Sequence, residues 1–165
     1  MAILSLVFGP DPIFKQHAVK VENFDDNLKK RLQDMADTLY HHKALGIGAN
    51  MVGILECLVV VDIQENGQKK LFKMVNPVIK YYSQETDFFM EASLSFPGIQ
   101  AKIERPVNIE VEYFTEEGIQ QNLQASGMLA RVIQHEVDYL NGKTYLDYLS
   151  STKRKMLLLK LNKKT

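Results

Sequence analysis

The chain has 165 residues, enough for one domain with a substantial core, and 45% of them are hydrophobic, as in an ordinary globular protein. Lys plus Arg and Asp plus Glu both number 20, so the formal net charge is zero, which disfavours a globally basic binder of nucleic acid and gives no ground for sequence-specific recognition. Cys57 is the only cysteine, which excludes an internal disulfide, and no apolar run approaches the roughly 18 residues of a membrane span.

Residues 1–8 carry no positive charge and run into Gly9-Pro10, which argues against a signal peptide, so a soluble cytoplasmic protein is expected. Leu28, Leu32, Met35 and Leu39 form one helical stripe. Asp25 and Asp26 suit the positive start of that helix, and His41, His42 and Lys43 suit its negative end. Neighbouring helix positions point about 100° apart, so the adjacent histidines read as a solvated helix end rather than a chelating pair.

Residues 44–53 are rich in small side chains that permit close approach of a strand or a ligand. No Gly-Lys-Ser/Thr follows, so this is not a phosphate loop; a tight turn entering a strand is the simple expectation. The β pattern begins at Glu56. Residues 57–63 and 70–75 flank Asn66-Gly67, a hairpin signal, and Cys57 in this apolar run reads as a buried structural thiol. Asn76-Pro77 predicts a break before a strand over 78–82. Residues 107–114 alternate apolar and polar, and Glu117-Gly118 turns them into 119–123. Short strands joined by tight turns predict antiparallel sheet in an α+β fold.

Ser126 is placed to cap a helix over 127–140, with Asn141-Gly142 as its stop. Met128, Val132, His135, Glu136 and Tyr139 share one side of it, with Arg131 beside them. Residues 151–164 combine Met156, Leu157, Leu158 and Leu159 with Lys153, Arg154, Lys155, Lys160, Lys163 and Lys164, predicting an amphipathic helix with a basic face. No repeat or linker divides the chain, so residues 1–165 are taken as one domain.

His135-Glu136 begins like the H-E-x-x-H helix of metal hydrolases, where two His on one face hold a metal and the Glu serves its bound water as general base. Here the second His position is Tyr139. Three stretches in order nevertheless resemble the peptide deformylases, metal-dependent enzymes that remove the N-formyl group from nascent proteins. Residues 44–51 (Ala-Leu-Gly-Ile-Gly-Ala-Asn-Met) are similar to G-x-G-L-A-A-x-Q. Residues 91–95 (Glu-Ala-Ser-Leu-Ser) are similar to E-G-C-L-S, and residues 134–142 to Q-H-E-x-D-H-L-x-G. The resemblance extends through Pro10-Asp11-Pro12, residues 125–130 and residues 147–150 to nearly the whole chain. It implies antiparallel sheets around a central helix bearing the His-Glu pair, with N-terminal and C-terminal helices.

The resemblance also implies roles. A Cys and two His would hold the metal, often iron; these positions are Ser93, His135 and Tyr139. Glu136 would shuttle protons. The Gln side chain and a backbone N–H that would stabilise the oxyanion correspond to Met51 and Leu94. Gly46, Ile47 and Gly48 would pair with the peptide, and Glu91 and Arg131 are placed at the same substrate site. A serine hydroxyl or a neutral phenol is a poor replacement for thiolate or imidazole, and Met51 cannot donate a hydrogen bond. Losing one oxyanion donor costs about 10²–10³ in turnover. The residues therefore predict a degraded site that holds no metal, with little or no deformylation and with peptide binding kept. Docking on the ribosome through the basic helix is a further expectation, suggested by the family's place of work. The alternative is an active deformylase with iron, nickel or zinc in an atypical site. Arg131 stands where the family has an apolar pocket residue; it is expected to compensate for the missing metal by pairing with Glu136 or Glu91, or else to extend to solvent.

Overall fold

The run Leu58–Val61 forms a strand, β2, buried on both faces, and the rest of the fold is layered on either side of it. Leu58 and Val60 join one core cluster with Leu28, Leu32, Met35 and Leu39 of helix α1 (Asp26–His41). Val59 and Val61 join a second with Ala130, Ile133, Val137 and Leu140 of helix α2 (Gly127–Leu140). A strand between two helices must be apolar at every position, and this one is. The computed structural model describes residues 2–163.

Strand β1 (Gly46–Gly48), β2, β3 (Phe72–Tyr82), β6 (Asn108–Phe114) and β7 (Gln120–Ser126) make an antiparallel sheet in the order β1-β2-β3-β6-β7. Strands β4 (Thr86–Ser93) and β5 (Phe96–Pro106) form a separate antiparallel hairpin. Helix α3 (Ser151–Lys163) closes the chain. The architecture is the expected α+β one, and α1 starts where the acidic residues placed it, with the Asp25 carboxylate accepting from the Leu28 N–H at 2.9 Å.

Several local expectations need correction. The β2–β3 connection does not turn tightly on Asn66-Gly67, which lie in a 3₁₀ turn (Glu65–Gly67) within a longer loop. The loop closes on Asp62, whose carboxylate accepts from the N–H groups of Gln64 and Lys70. Asn76-Pro77 does not end β3. The strand kinks there, with Asn76 at φ +52° and a register shift between Val75 and Val78, while the Asn76 amide exchanges two hydrogen bonds with the Val21 backbone. Residues 44–53 supply edge strand β1 followed by a 3₁₀ turn (Ala49–Val52). Ser126 has extended geometry ahead of α2, but its side chain makes no capping bond. Cys57 is half-buried just before β2; its thiol donates to the Ala18 carbonyl, and burial raises its pKa, consistent with a structural role.

The C-terminal helix is less amphipathic than predicted. Leu157, Leu158 and Leu161 pack on the core, but Met156 (62% exposed) and Leu159 (59% exposed) share the outside with Lys153, Lys155 and Lys160. Four consecutive apolar residues wrap all round a helix and cannot share one face. Lys164 lies outside the described residues. Among the described residues no helix is long and apolar enough to cross a membrane.

Candidate functional site

A cleft of about 410 Å³ lies between the segment entering edge strand β1 and the end of β4, with α2 as its floor. Gly46, Met51, Glu91, Ser93, Leu94, Arg131, His135 and Glu136 all line it, so the three sequence stretches converge on one place. Ile47 and Tyr139 lie behind the wall, each with no exposed surface. The glycine at 46 has a packing reason: a Cβ there would fall 2.7 Å from the Val132 side chain and 2.9 Å from Glu136 Cγ. A Cβ at Gly48 would meet the same helix at ordinary contact distance, 3.4 Å from the Glu136 carbonyl oxygen and 3.5 Å from Tyr139 Cβ. Both glycines seat β1 against α2, which brings the edge of the sheet to the cleft.

The three positions that the resemblance assigns to metal ligands, Ser93, His135 and Tyr139, do meet. Ser93 Oγ and the Tyr139 hydroxyl share a 2.6 Å hydrogen bond. Tyr139 is fully buried, which raises its phenol pKa well above 10 and keeps it neutral. His135 Nδ1 meets Glu91 Oε1 at 2.7 Å, and its Nε2 faces Glu136 Oε1 at 3.7 Å. The histidine ring lies between Tyr139 and Tyr145, each 5.4 Å away by ring centroid. Among the described residues no group of three or more His, Cys, Asp or Glu side chains is placed to hold a metal. One imidazole beside two neutral hydroxyls that bind each other does not fit a divalent cation. Met51 turns its sulfur back on the main chain, accepting the Gly48 N–H at 3.4 Å.

Glu91 is the hub of an ion network. Its carboxylate accepts from Arg105 Nε at 2.6 Å and Nη2 at 2.9 Å, and from Arg131 Nη1 at 2.6 Å, in addition to the His135 contact. Arg131 thus reaches Glu91, one of the two carboxylates considered for it, and is buried rather than extended to solvent; its other arm binds Asp87 Oδ1 at 2.8 Å. Arg105 also binds Asp138 at 2.9 Å, and Asp138 accepts from the Tyr148 hydroxyl. Burial pushes the Glu91 pKa up, but the His135 and Arg105 hydrogen bonds and the Arg105 charge outweigh it and hold the group at about 2.

Glu136 is the opposite case. It is 2% exposed, and its Oε2 has no hydrogen-bond partner among the described residues. Burial pushes its pKa up to about 7, with His135 and Arg105 opposing and Glu91 and Asp138 adding to the rise.

Arg105, Asp87 and Asp138 were not singled out from the sequence. A signal existed for Arg105: Ile99, Ala101, Ile103 and Arg105 are the alternate, inward positions of β5, so an arginine on a buried face demanded a partner.

Comparisons with known proteins agree with this fold. The family model described as polypeptide deformylase matches residues 3–155. A peptide deformylase-like protein of Rickettsia conorii is 48% identical over 158 residues, covering 96% of this chain and 86% of its own length. A peptide deformylase of Bartonella tribocorum is 38% identical over 99% of this chain and 94% of its own. The crystal structure of peptide deformylase from Ehrlichia chaffeensis in complex with actinonin superimposes with a TM-score of 0.95 at 35% identity, covering 99% of this chain and 98% of that one.

Proposed function

The chain belongs to the peptide deformylase family, and from that premise we propose that it has lost metal-dependent deformylation while keeping the family's cleft as a binding site for N-terminal peptide segments. The observation that carries this reading is the 2.6 Å bond between Ser93 and Tyr139. Two of the three positions where the family holds its metal here satisfy each other, and neither offers a negative charge at neutral pH. Met51 offers the oxyanion no donor and is itself occupied by Gly48. The Leu94 backbone still borders the cleft, but a single amide supplies only part of an oxyanion site. Edge strand β1 pairs with β2 on one side only, which supports binding by strand addition. Glu91, with Arg105 and Arg131, acts as a positioning group that ties β4 and β5 to α2.

One observation favours the second reading, an active enzyme. His135 Nδ1 is engaged by Glu91, so Nε2 is the free nitrogen, the arrangement by which carboxylates orient metal-binding histidines. Elemental analysis of purified protein, with a deformylation assay under anaerobic conditions and added iron, nickel or zinc, separates the two. The expected result is substoichiometric metal and no turnover of an N-formylmethionyl peptide; stoichiometric metal with turnover overturns the proposal. The triple change Ser93→Cys, Tyr139→His and Met51→Gln is expected to restore metal binding and measurable activity. A ribosomal partner is supported only by the exposed Lys153, Lys155 and Lys160 of α3. Reversing those three charges while leaving the packed leucines intact is expected to abolish salt-dependent co-sedimentation with ribosomes; no binding by the unaltered protein at low salt removes that partner.

A further inference from the structure

We infer that the peptide segment this cleft takes carries an acidic side chain, with Lys43 on the rim as its counter-ion; the inference rests on the peptide-binding reading above. Three observations lead to it.

The first is the backbone at Lys43. Helix α1 ends in a Schellman turn: the Lys43 N–H donates to the Tyr40 carbonyl at 3.1 Å, and the Ala44 N–H to the Leu39 carbonyl at 2.9 Å. Helix α2 ends in the same turn, with the Gly142 N–H on Tyr139 at 3.2 Å and the Lys143 N–H on Asp138 at 3.0 Å. The turn needs one left-handed residue, which is Gly142 at φ +74° after α2 but Lys43 at φ +55° after α1. Glycine takes that conformation freely, whereas a residue with a Cβ is disfavoured in it. A helix end attracts cations, but the last turn meets that preference without a left-handed backbone. Of the non-glycine residues with positive φ among the described residues, Lys43 is the one that lines the cleft. Strain kept at a site wall points to work done there.

The second is charge. The Lys, Arg, Asp and Glu side chains lining the cleft are Lys43, Glu91, Arg131 and Glu136. The last three are at most 5% exposed, and Glu91 and Arg131 bind each other. Lys43 is exposed and forms no ion pair among the described residues. Asp87, exposed at the outer end of the ion network, is held by Arg131. The charge that the cleft presents to a guest is therefore the Lys43 ammonium.

The third is the facing wall. Phe89 and Met90 line the cleft from β4, 49% and 50% exposed, and offer apolar contact with no carboxylate. A guest carboxylate beside Lys43 gains a partner that the cleft itself does not supply, and a guest lysine there is repelled. Apolar contact with Phe89 and Met90 excludes water from the pair and lessens its screening.

The test is fluorescence anisotropy of the full-length protein with N-formylmethionyl peptides that carry the dye on an amidated C-terminus. The second residue, and in another set the third, is Glu, Gln or Lys. In at least one set the Glu peptide is expected to bind about threefold more tightly than the Gln peptide, the range of an exposed ion pair, and about tenfold more tightly than the Lys peptide. High salt is expected to narrow both ratios. Lys43→Arg is expected to keep the preference. Lys43→Gly is expected to erase it while raising the melting temperature by about 2–4 °C, because glycine relieves the left-handed backbone. Equal binding of Glu, Gln and Lys peptides at both positions overturns the inference and leaves the peptide site standing. A preference that survives Lys43→Gly overturns it too, since another group is then the counter-ion. A lower melting temperature for Lys43→Gly also overturns it, because the helix end then accounts for the lysine. Binding of none of the peptides overturns the peptide-binding reading itself.

Discussion

Glu91 and Glu136 flank the same histidine ring, and both are buried. Glu91 accepts from two guanidinium groups and an imidazole, and its pKa falls to about 2; Glu136 has a bare oxygen, and its pKa climbs to about 7. The difference teaches that burial alone does not decide what a carboxylate does. Surrounding donors make Glu91 part of the frame, and their absence leaves Glu136 Oε2 buried without a partner among the described residues.

The largest effect is expected at Glu91. Glu91→Ala leaves Arg105, Arg131 and His135 without their common acceptor, and breaking a buried ionic network from one side costs about 3–5 kcal/mol. Urea or thermal denaturation checks this; a loss below about 1 kcal/mol would mean that Asp87 and Asp138 suffice for the two arginines.

Glu136→Gln is expected to act in the opposite direction and with a pH signature. Raised from 4.5 to about 7 in the folded state, this carboxyl binds its proton more tightly in the folded chain than in the unfolded one. The stability it confers is present below pH 4.5 and declines as pH rises through 7. The variant lacks that decline, so it should gain on the parent between pH 5 and 8, by up to about 3 kcal/mol at 1.36 kcal/mol per unit. Glu91 has the reverse sign: its stabilisation is complete above pH 4.5 and fades as pH falls towards 2. Stability curves from pH 3 to 8 for parent and variant that stay parallel would break the contrast between the two groups.

The smallest effect belongs to Asp87, whose side chain is 60% exposed at the outer end of the network. Asp87→Asn is expected to cost less than about 1 kcal/mol. A larger loss in the same denaturation experiment would place Asp87 among the supporting residues instead of at their solvent margin.

Much of this could be read from residue order. Leu28, Leu32, Met35 and Leu39 announce α1 through the 3.6-residue period, and the spacing of His135, Glu136 and Tyr139 places them on one helix. The β4–β5 hairpin was harder. Phe88, Phe89 and Met90 are consecutive and exposed, so β4 shows no alternation and looks like neither strand nor helix face. The pairings that define the site span 14 to 46 positions in sequence, from Glu91 with Arg105 to Ser93 with Tyr139. They exist because the β4–β5 register and the seat of α2 bring distant groups together, and no local pattern encodes that. The turn at Asp62 was hidden for a related reason: a buried carboxylate gathering amides overrides the turn preference of Asn-Gly.

The brevity of β1 sets a reading length. The strand is three residues long, Gly46–Gly48, and its ladder to β2 ends at Gly48 and Val59 before the chain curls into a 3₁₀ turn. A partner laid along so short an edge meets backbone for about 10 Å, at roughly 3.3 Å per residue. Discrimination would therefore stop after about the third residue of a guest, whatever follows.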